Sequence, residues 1–375
     1  MNPSAIERLG RCAPGAGERL LITAAVSNGE QADDAWRAWR ADRTLHDANW
    51  RMHALLPVLL ESVSMEAFGP DRPVLTQIRK QNWIATQLRL ARLGAVLQTS
   101  GVPADRIMVF KGAALVGTGY PPGARTMADV DIAIRPEHYR PTIDALLANG
   151  WTLRETTYGD DWVRALTAVD DEGFEIDIHR WVLYPRYTRR TERGVWERAE
   201  VAEFGPGSAL VPSRADSIVI AILHGLTPTD AGAVRWPVDV TMLARRADDH
   251  VWSDVADIAV ELGVGPLVAA GLSLLTTEFG ADVPDGMIDR LEAAPLDRLL
   301  EFEWWLRRHG ISRGSRARWY VDGCRAVGTR PTPWGYAASR WRKLRAGDGP
   351  VSTLRLRAER AWAYWRHRRD HRERW

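Results

Sequence analysis

The sequence has little from which to expect disulfides, a membrane span or a signal peptide. It has two cysteines, Cys12 and Cys324, in 375 residues. That is too few for a disulfide framework and lacks zinc-site spacing, which suits a reducing cytoplasm. The longest apolar runs, "IVIAIL" and "VGPLVAAGLSLL", are too short to cross a bilayer, so no transmembrane segment is expected. The N-terminus lacks the charged-then-apolar order of a signal peptide. A strong overall charge is missing too, the formal net charge being +2. That balance hides an asymmetry: from Ile311 to Trp375 there are 17 Lys/Arg against 5 Asp/Glu, so the remainder is net acidic.

What is present is an ordinary globular composition, 45% hydrophobic and 26% charged, with 18 tryptophans. The length suggests two or three domains around a real core. From Asp33 to Gln98 apolar residues recur at helical spacing, broken at "GPDRP". The period then changes. "RIMVF" reads as a buried strand, "KGAALVG" as a turn into a helix, "VDIAI" as a second strand and "RPEHYRPTIDALLANG" as a helix. "DWVRALTAVD" and "FEIDIHRWVL" read as strands joined by a "DDEG" hairpin turn. Helices return from Ser213, in "RADSIVIAILHGL", "RWPVDVTMLARRA", "WSDVADIAVELG", "VGPLVAAGLSLLTTEFG" and "LDRLLEFEWWLRR". The outline is a small α/β core between helical regions.

Carboxylates mark the core. Strand residues i and i+2 project from one face, so Asp129 and Asp131 point together. At about 4 Å such a pair repels by about 4 kcal/mol at an effective dielectric of about 20. It persists if solvated, if one member is protonated, or if a cation sits between them. In "FEIDIHRWV" a third acid, Asp177, alternates with Glu175 inside an apolar strand. Three converging carboxylates supply the hard oxygen ligands of Mg²⁺. The simpler alternative is that these acids cap strands or pair with Arg125 and Arg180. Upstream, Lys111-Gly112 at a strand-to-helix turn would let a phosphate approach backbone N–H groups, with Lys111 adding positive charge.

These residues resemble the nucleotidyltransferase superfamily of DNA polymerase β, and more closely a bacterial branch of uncharacterised nucleotidyltransferases. The resemblance rests on Lys111-Gly112-Ala113-Ala114-Leu115, Tyr120-Pro121, Arg125, Asp129-Val130-Asp131, Glu175-Ile176-Asp177-Ile178-His179, and Arg235-Trp236 with Asp239. It covers roughly residues 30 to 305. It implies an α+β fold: a small mixed-sheet nucleotidyltransferase core flanked by N-terminal and C-terminal helical domains. The expected divisions are a helical region over 1–100, the core over 101–205, a helical domain closing the cleft over 206–310 and a basic Trp/Arg-rich extension over 311–375. Where the broader superfamily has Gly-Ser, this chain has Gly112-Ala113, so either Lys111 or Arg125 would take over the missing hydroxyl's contact with phosphate, or phosphate binding is weakened.

The resemblance further implies two Mg²⁺ ions on Asp129 and Asp131, with Asp177 on the catalytic one. A nucleoside monophosphate would move from an NTP such as ATP to a small-molecule or peptide acceptor, releasing pyrophosphate. Lys111, Gly112, Ala113, Arg125, His179, Arg235 and Asp239 are the candidate nucleotide-binding residues. His179 shares the strand face of Asp177; it either faces substrate or is a hydrogen-bonded strand-end histidine. Arg235, Trp236 and Asp239 share a helical stripe, where a structural Arg235–Asp239 pair competes with a nucleotide contact. "GTGYPPG" follows a helix rather than a strand, so it is a loop over the site and not a dinucleotide motif. Rival functions are a toxin-like enzyme acting on tRNA or a protein, and a non-catalytic nucleotide-binding module. The tail reads as a packed cationic helix, a nucleic-acid surface, or an amphipathic helix for an anionic membrane or acidic partner. The acceptor and the oligomeric state are not legible in the sequence.

Overall fold

The computed structural model describes residues 4–99, 101–117, 120–154, 165–183, 189–226, 234–296 and 298–309, together with 324, 330 and 332–338. Most of the basic extension, including everything beyond residue 338, and the first residues of the "DWVRALTAVD" strand fall outside these residues.

The chain starts in helices α1 (Ala5–Leu9), α2 (Ala16–Val26), α3 (Glu30–Arg40), α4 (Trp50–His53), α5 (Met65–Phe68) and α6 (Arg72–Thr99). The stretch from Asp33 to Val63 is not continuous helix. After α3 it breaks into short turns, where Asp47 binds the Thr44 backbone and Asn49 caps α4. Short polar side chains compete there with helical bonding. In α3 the buried Ala32, Ala35, Trp36 and Trp39 form one stripe, and Trp36 stacks on Trp39 at 5.5 Å. The expected break at "GPDRP" is a tight turn directly before α6.

The sheet follows. β1 (Ile107–Phe110) leads into α7 (Lys111–Gly117), then β2 (Val130–Ile134) and α8 (Pro136–Ala148). β3 (Thr152–Leu153), β4 (Ala165–Val169) and β5 (Glu175–His179) precede α9 (Arg189–Glu197), and the hairpin β6 (Glu200–Phe204) with β7 (Gly207–Val211) closes the set. The strand order is β3-β4-β5-β2-β1-β7-β6. β1 pairs antiparallel with β2 and parallel with β7, while β2 pairs parallel with β5. The mixed sheet matches the expected fold class. The β6–β7 hairpin was not expected, because its edge strand is mostly exposed and lacks an apolar run.

Helices α10 (Arg214–Gly225), α11 (Trp236–Ala244), α12 (Asp249–Glu261), α13 (Gly265–Phe279), α14 (Met287–Glu292) and α15 (Arg298–Arg308) complete the described chain. Ser213 caps α10 and Asp248 caps α12. These helices share one hydrophobic core with α1 to α3, so the chain leaves a helical body, makes the sheet and returns to that body. Trp36, Trp39, Trp236 and Trp252 are buried in it, which accounts for part of the tryptophan content.

Central strands β1 and β2 are buried along their whole length, as strands covered on both faces must be. Ile107, Val109, Val130, Ile132, Ile176 and Ile178 face a second core with α8 and the end of α6. The alternate residues Met108, Phe110 and Ala133 face the helical body. The period of two therefore assigns Asp131, Asp177 and His179 to that same side, where sheet and helices meet.

Candidate active site

Register brings the acids together. Asp131 on β2 is the direct neighbour of Asp177 on the parallel strand β5, and Ala133 is the neighbour of His179. Oxygens of Asp131 and Asp177 and a ring nitrogen of His179 lie within 4.8 Å of one another. Asp129, expected as the third acid of this group, is not in it. It is the residue before β2 begins, so the pleat does not hold it beside its neighbours. Charge still couples it to them: burial first, then the Asp131 carboxylate, raises its carboxyl above the ordinary range.

The three acids sit in different electrostatic states. Asp131 is buried, which alone would raise its pKa. The Lys111 ammonium at 2.5 Å and the His179 Nε2 at 2.8 Å outweigh burial and hold it well below the usual carboxylate range. Asp177 is pushed up to about 6, mainly by burial and then by the charges of Asp131 and Asp129, against a lowering 2.7 Å bond donated by the Thr167 hydroxyl to Oδ1. The site thus pairs one firmly ionised carboxylate with another that titrates near neutrality. Two carboxylates and one imidazole form a donor set suited to a divalent cation, which would relieve the Asp131–Asp177 repulsion.

His179 is a hydrogen-bonded buried histidine, its ring edge-on to Phe110 with centroids 4.9 Å apart. Among the described residues Lys111 is the single non-glycine residue with positive φ, +52°. There is no intervening turn: β1 ends at Phe110 and α7 begins at Lys111. A backbone conformation that disfavours side chains aims this ammonium back over the sheet, a kind of strain that clusters at functional sites.

The supporting residues are arranged differently from the expected helical pair. Asp239 on α11 binds not Arg235 but Arg125, through two bonds of 2.9 Å from Nε and Nη2, and also accepts a 3.1 Å bond from the Tyr120 hydroxyl. Arg235 is the residue just before α11, and its side chain donates to the Thr126 carbonyl at 2.6 Å. The fork geometry of a guanidinium favours Arg125, which reaches Asp239 bidentately. Nor do the strand acids pair with Arg125 or Arg180: Asp131 pairs with Lys111, and Arg180 lies over the Tyr139 ring at 4.2 Å. The space at Gly112 is taken as well. A Cβ there would lie 2.7 Å from Arg125 Nη1 and 3.3 Å from Met127. Ala113 and Ala114 are buried against the second core.

Several site-building residues have no signal in sequence. Asn82 on α6 donates to the carbonyls of Gly123 at 2.7 Å and Arg125 at 2.9 Å. Arg79 and Arg89, on the same helix, donate to the carbonyls of Pro122 and Ala128. Gly123, with φ +74°, presses on α6 so closely that a Cβ would lie 2.8 Å from the Arg79 carbonyl. The 120–129 loop is therefore held by α6 on one side and α11 on the other. The spacing 79, 82, 89 follows one helix face, but nothing local says what that face grips.

Among the described residues no helix is long and apolar enough to cross a membrane. A search of curated proteins finds no match to the chain. The family described as uncharacterised nucleotidyltransferase matches residues 46–280, a span that contains the whole sheet, the 120–129 loop and α11. With that span matched and its acids gathered on one sheet face, the chain belongs to the uncharacterised nucleotidyltransferase family.

Proposed function

We propose that this nucleotidyltransferase uses Mg²⁺ to move a nucleoside monophosphate from an NTP to an acceptor hydroxyl on a small molecule or peptide, releasing pyrophosphate. The observation that carries the reading is the cross-strand pairing of Asp131 with Asp177 beside Lys111. Strand, Lys-Gly, helix, Asp-x-Asp strand and a parallel neighbour bearing a third acid also support membership of the DNA polymerase β-like superfamily. A reducing cytoplasm suits the two free cysteines.

Asp131 and Asp177 would hold the metal, with Asp129 completing the carboxylate set for a second ion and His179 fixing the orientation of Asp131. When bound, Mg²⁺ lowers the pKa of the attacking hydroxyl and neutralises charge on the triphosphate. The acceptor oxygen forms a bond to the α-phosphorus as the bond to the bridging α,β-oxygen breaks. The hydroxyl proton passes to Asp177 Oδ2, since Oδ1 is held by Thr167. Lys111 and Arg235 contribute positive charge beside the departing pyrophosphate. Arg125, Asp239 and Gly112 act by packing, keeping the loop that ends in Asp129 in place.

The test is pyrophosphate release from each NTP with and without Mg²⁺, followed by nucleotide incorporation into candidate acceptor pools. Release that needs Mg²⁺ and vanishes in Asp131→Asn and Asp177→Asn is expected. Full activity in either variant, or nucleotide binding without any turnover, would overturn the assignment; the second result would leave a nucleotide-binding module.

A further inference from the structure

We propose that the chain carries a second ligand site beside the acidic cluster, shaped for a small amphipathic anion: an organic carboxylate or phosphate ester with a short apolar part. A cavity of about 90 Å³ lies where α7, β7, the start of α10 and the end of α11 meet. That is smaller than drug-sized sites, which run to roughly 300–1,000 Å³, so the cavity takes a short apolar tail and leaves the head group at its open rim. β1 and β7 run parallel, so Lys111 after β1 and Pro212 after β7 leave the sheet at the same edge. Among the described residues its lining includes none of Lys111, Asp129, Asp131, Asp177 or His179. The cavity therefore adjoins the acidic cluster without being part of it.

Its lining is graded. Leu115 and Val211 are buried, and Met242 and Leu243 extend the apolar wall. Tyr120 adds a buried ring whose hydroxyl is fixed on Asp239, so this wall is preset and needs no rearrangement on binding. The charged residues lie at the more exposed end: Arg214 is half-buried, and Arg246 and Glu200 are exposed. Two guanidinium groups against one carboxylate leave a net positive rim, which selects an anionic head, while the inner wall selects an apolar tail. Arg side chains suit carboxylate and phosphate equally, so the head group is the feature to be distinguished.

The experiment uses the full chain without nucleotide or metal, and titrates butyl phosphate, hexanoate and inorganic phosphate by calorimetry and thermal unfolding. Saturable binding of butyl phosphate or hexanoate, with a matching rise in Tm, is expected. Arg214→Ala, a change at a half-buried position, should weaken that binding by about tenfold. Leu243→Trp, which fills the cavity, should abolish it. Binding of butyl phosphate alone assigns a phosphate ester, and of hexanoate alone a carboxylate. The proposal fails if neither organic anion binds, if Arg214→Ala binds as tightly as the unmodified chain, or if inorganic phosphate matches butyl phosphate and so makes the apolar wall irrelevant.

Discussion

Arg125 and Asp239, 114 residues apart, hold each other through two buried hydrogen bonds of 2.9 Å, and this pair ties the 120–129 loop to helix α11. Removing one partner leaves an uncompensated buried charge. Asp239→Ala is expected to cost about 3–5 kcal/mol in urea unfolding. Replacing both, as Arg125→Met with Asp239→Leu, should cost clearly less than the single change.

Asp177 links stability to the chemistry. Its folded pKa of about 6 lies above the 3.8 of an ordinary aspartate. A raised acid adds stability that is complete below the unfolded pKa and is lost as pH rises through the folded value. Asp177→Asn should therefore stabilise the metal-free protein by about 2 kcal/mol at about pH 8 while removing transfer activity. Mg²⁺ should raise the Tm of the unmodified chain and leave that of Asp177→Asn nearly unchanged.

Glu192 on α9 supplies a second pH response away from the cluster. Burial pushes it up to about 7, although the backbone N–H groups of Leu183 and Val182 donate to its oxygens and oppose the rise. Its contribution is complete below the unfolded pKa near 4.5 and is lost as pH rises through 7. Urea midpoints measured between those limits should fall with pH in the unmodified chain. The slope should flatten in Glu192→Gln and, unlike that of Asp177, should not respond to Mg²⁺.

Lys111 combines an ion pair with a positive φ of +52°. Lys111→Gly and Lys111→Ala both lose the ammonium, but only glycine adopts that backbone without strain. Chemical denaturation should find Lys111→Gly more stable than Lys111→Ala by about 1 kcal/mol. Equal stabilities would mean the conformation carries no strain.

Asn82 acts through two carbonyls of the loop. Asn82→Ala is expected to cost about 1–3 kcal/mol. Hydrogen exchange should accelerate most at residues 122–128, with β1 and β2 protected as before.

Much of the site could be read without coordinates. "RIMVF" and "VDIAI" are apolar runs of strand length, and the observed β1 and β2 lie within them. The alternation in "FEIDIH" assigned Asp177 and His179 to one face, and "DDEG" marked the turn between β4 and β5. The β6–β7 hairpin escaped because an exposed edge strand carries no hydrophobic alternation. Helical spacing reports only neighbours on the same helix, so it offers the Arg235–Asp239 pair and says nothing of Arg125, which Asp239 binds.

The division has a physical basis. Residue types and their periods of two and near four act over a few positions, so the sequence by itself determined the central strands β1, β2 and β5, most of the longer helices, and the shared face of Asp177 and His179. Pairings across long stretches of chain depend on how those elements dock. Only the tertiary structure decided that Lys111 rather than an arginine neutralises Asp131, that Arg125 rather than Arg235 holds Asp239, and that Asn82 grips the 120–129 loop. The first contact follows from the pairing of β1 with β2, and the other two join elements whose proximity exists only once the sheet has closed against the helices.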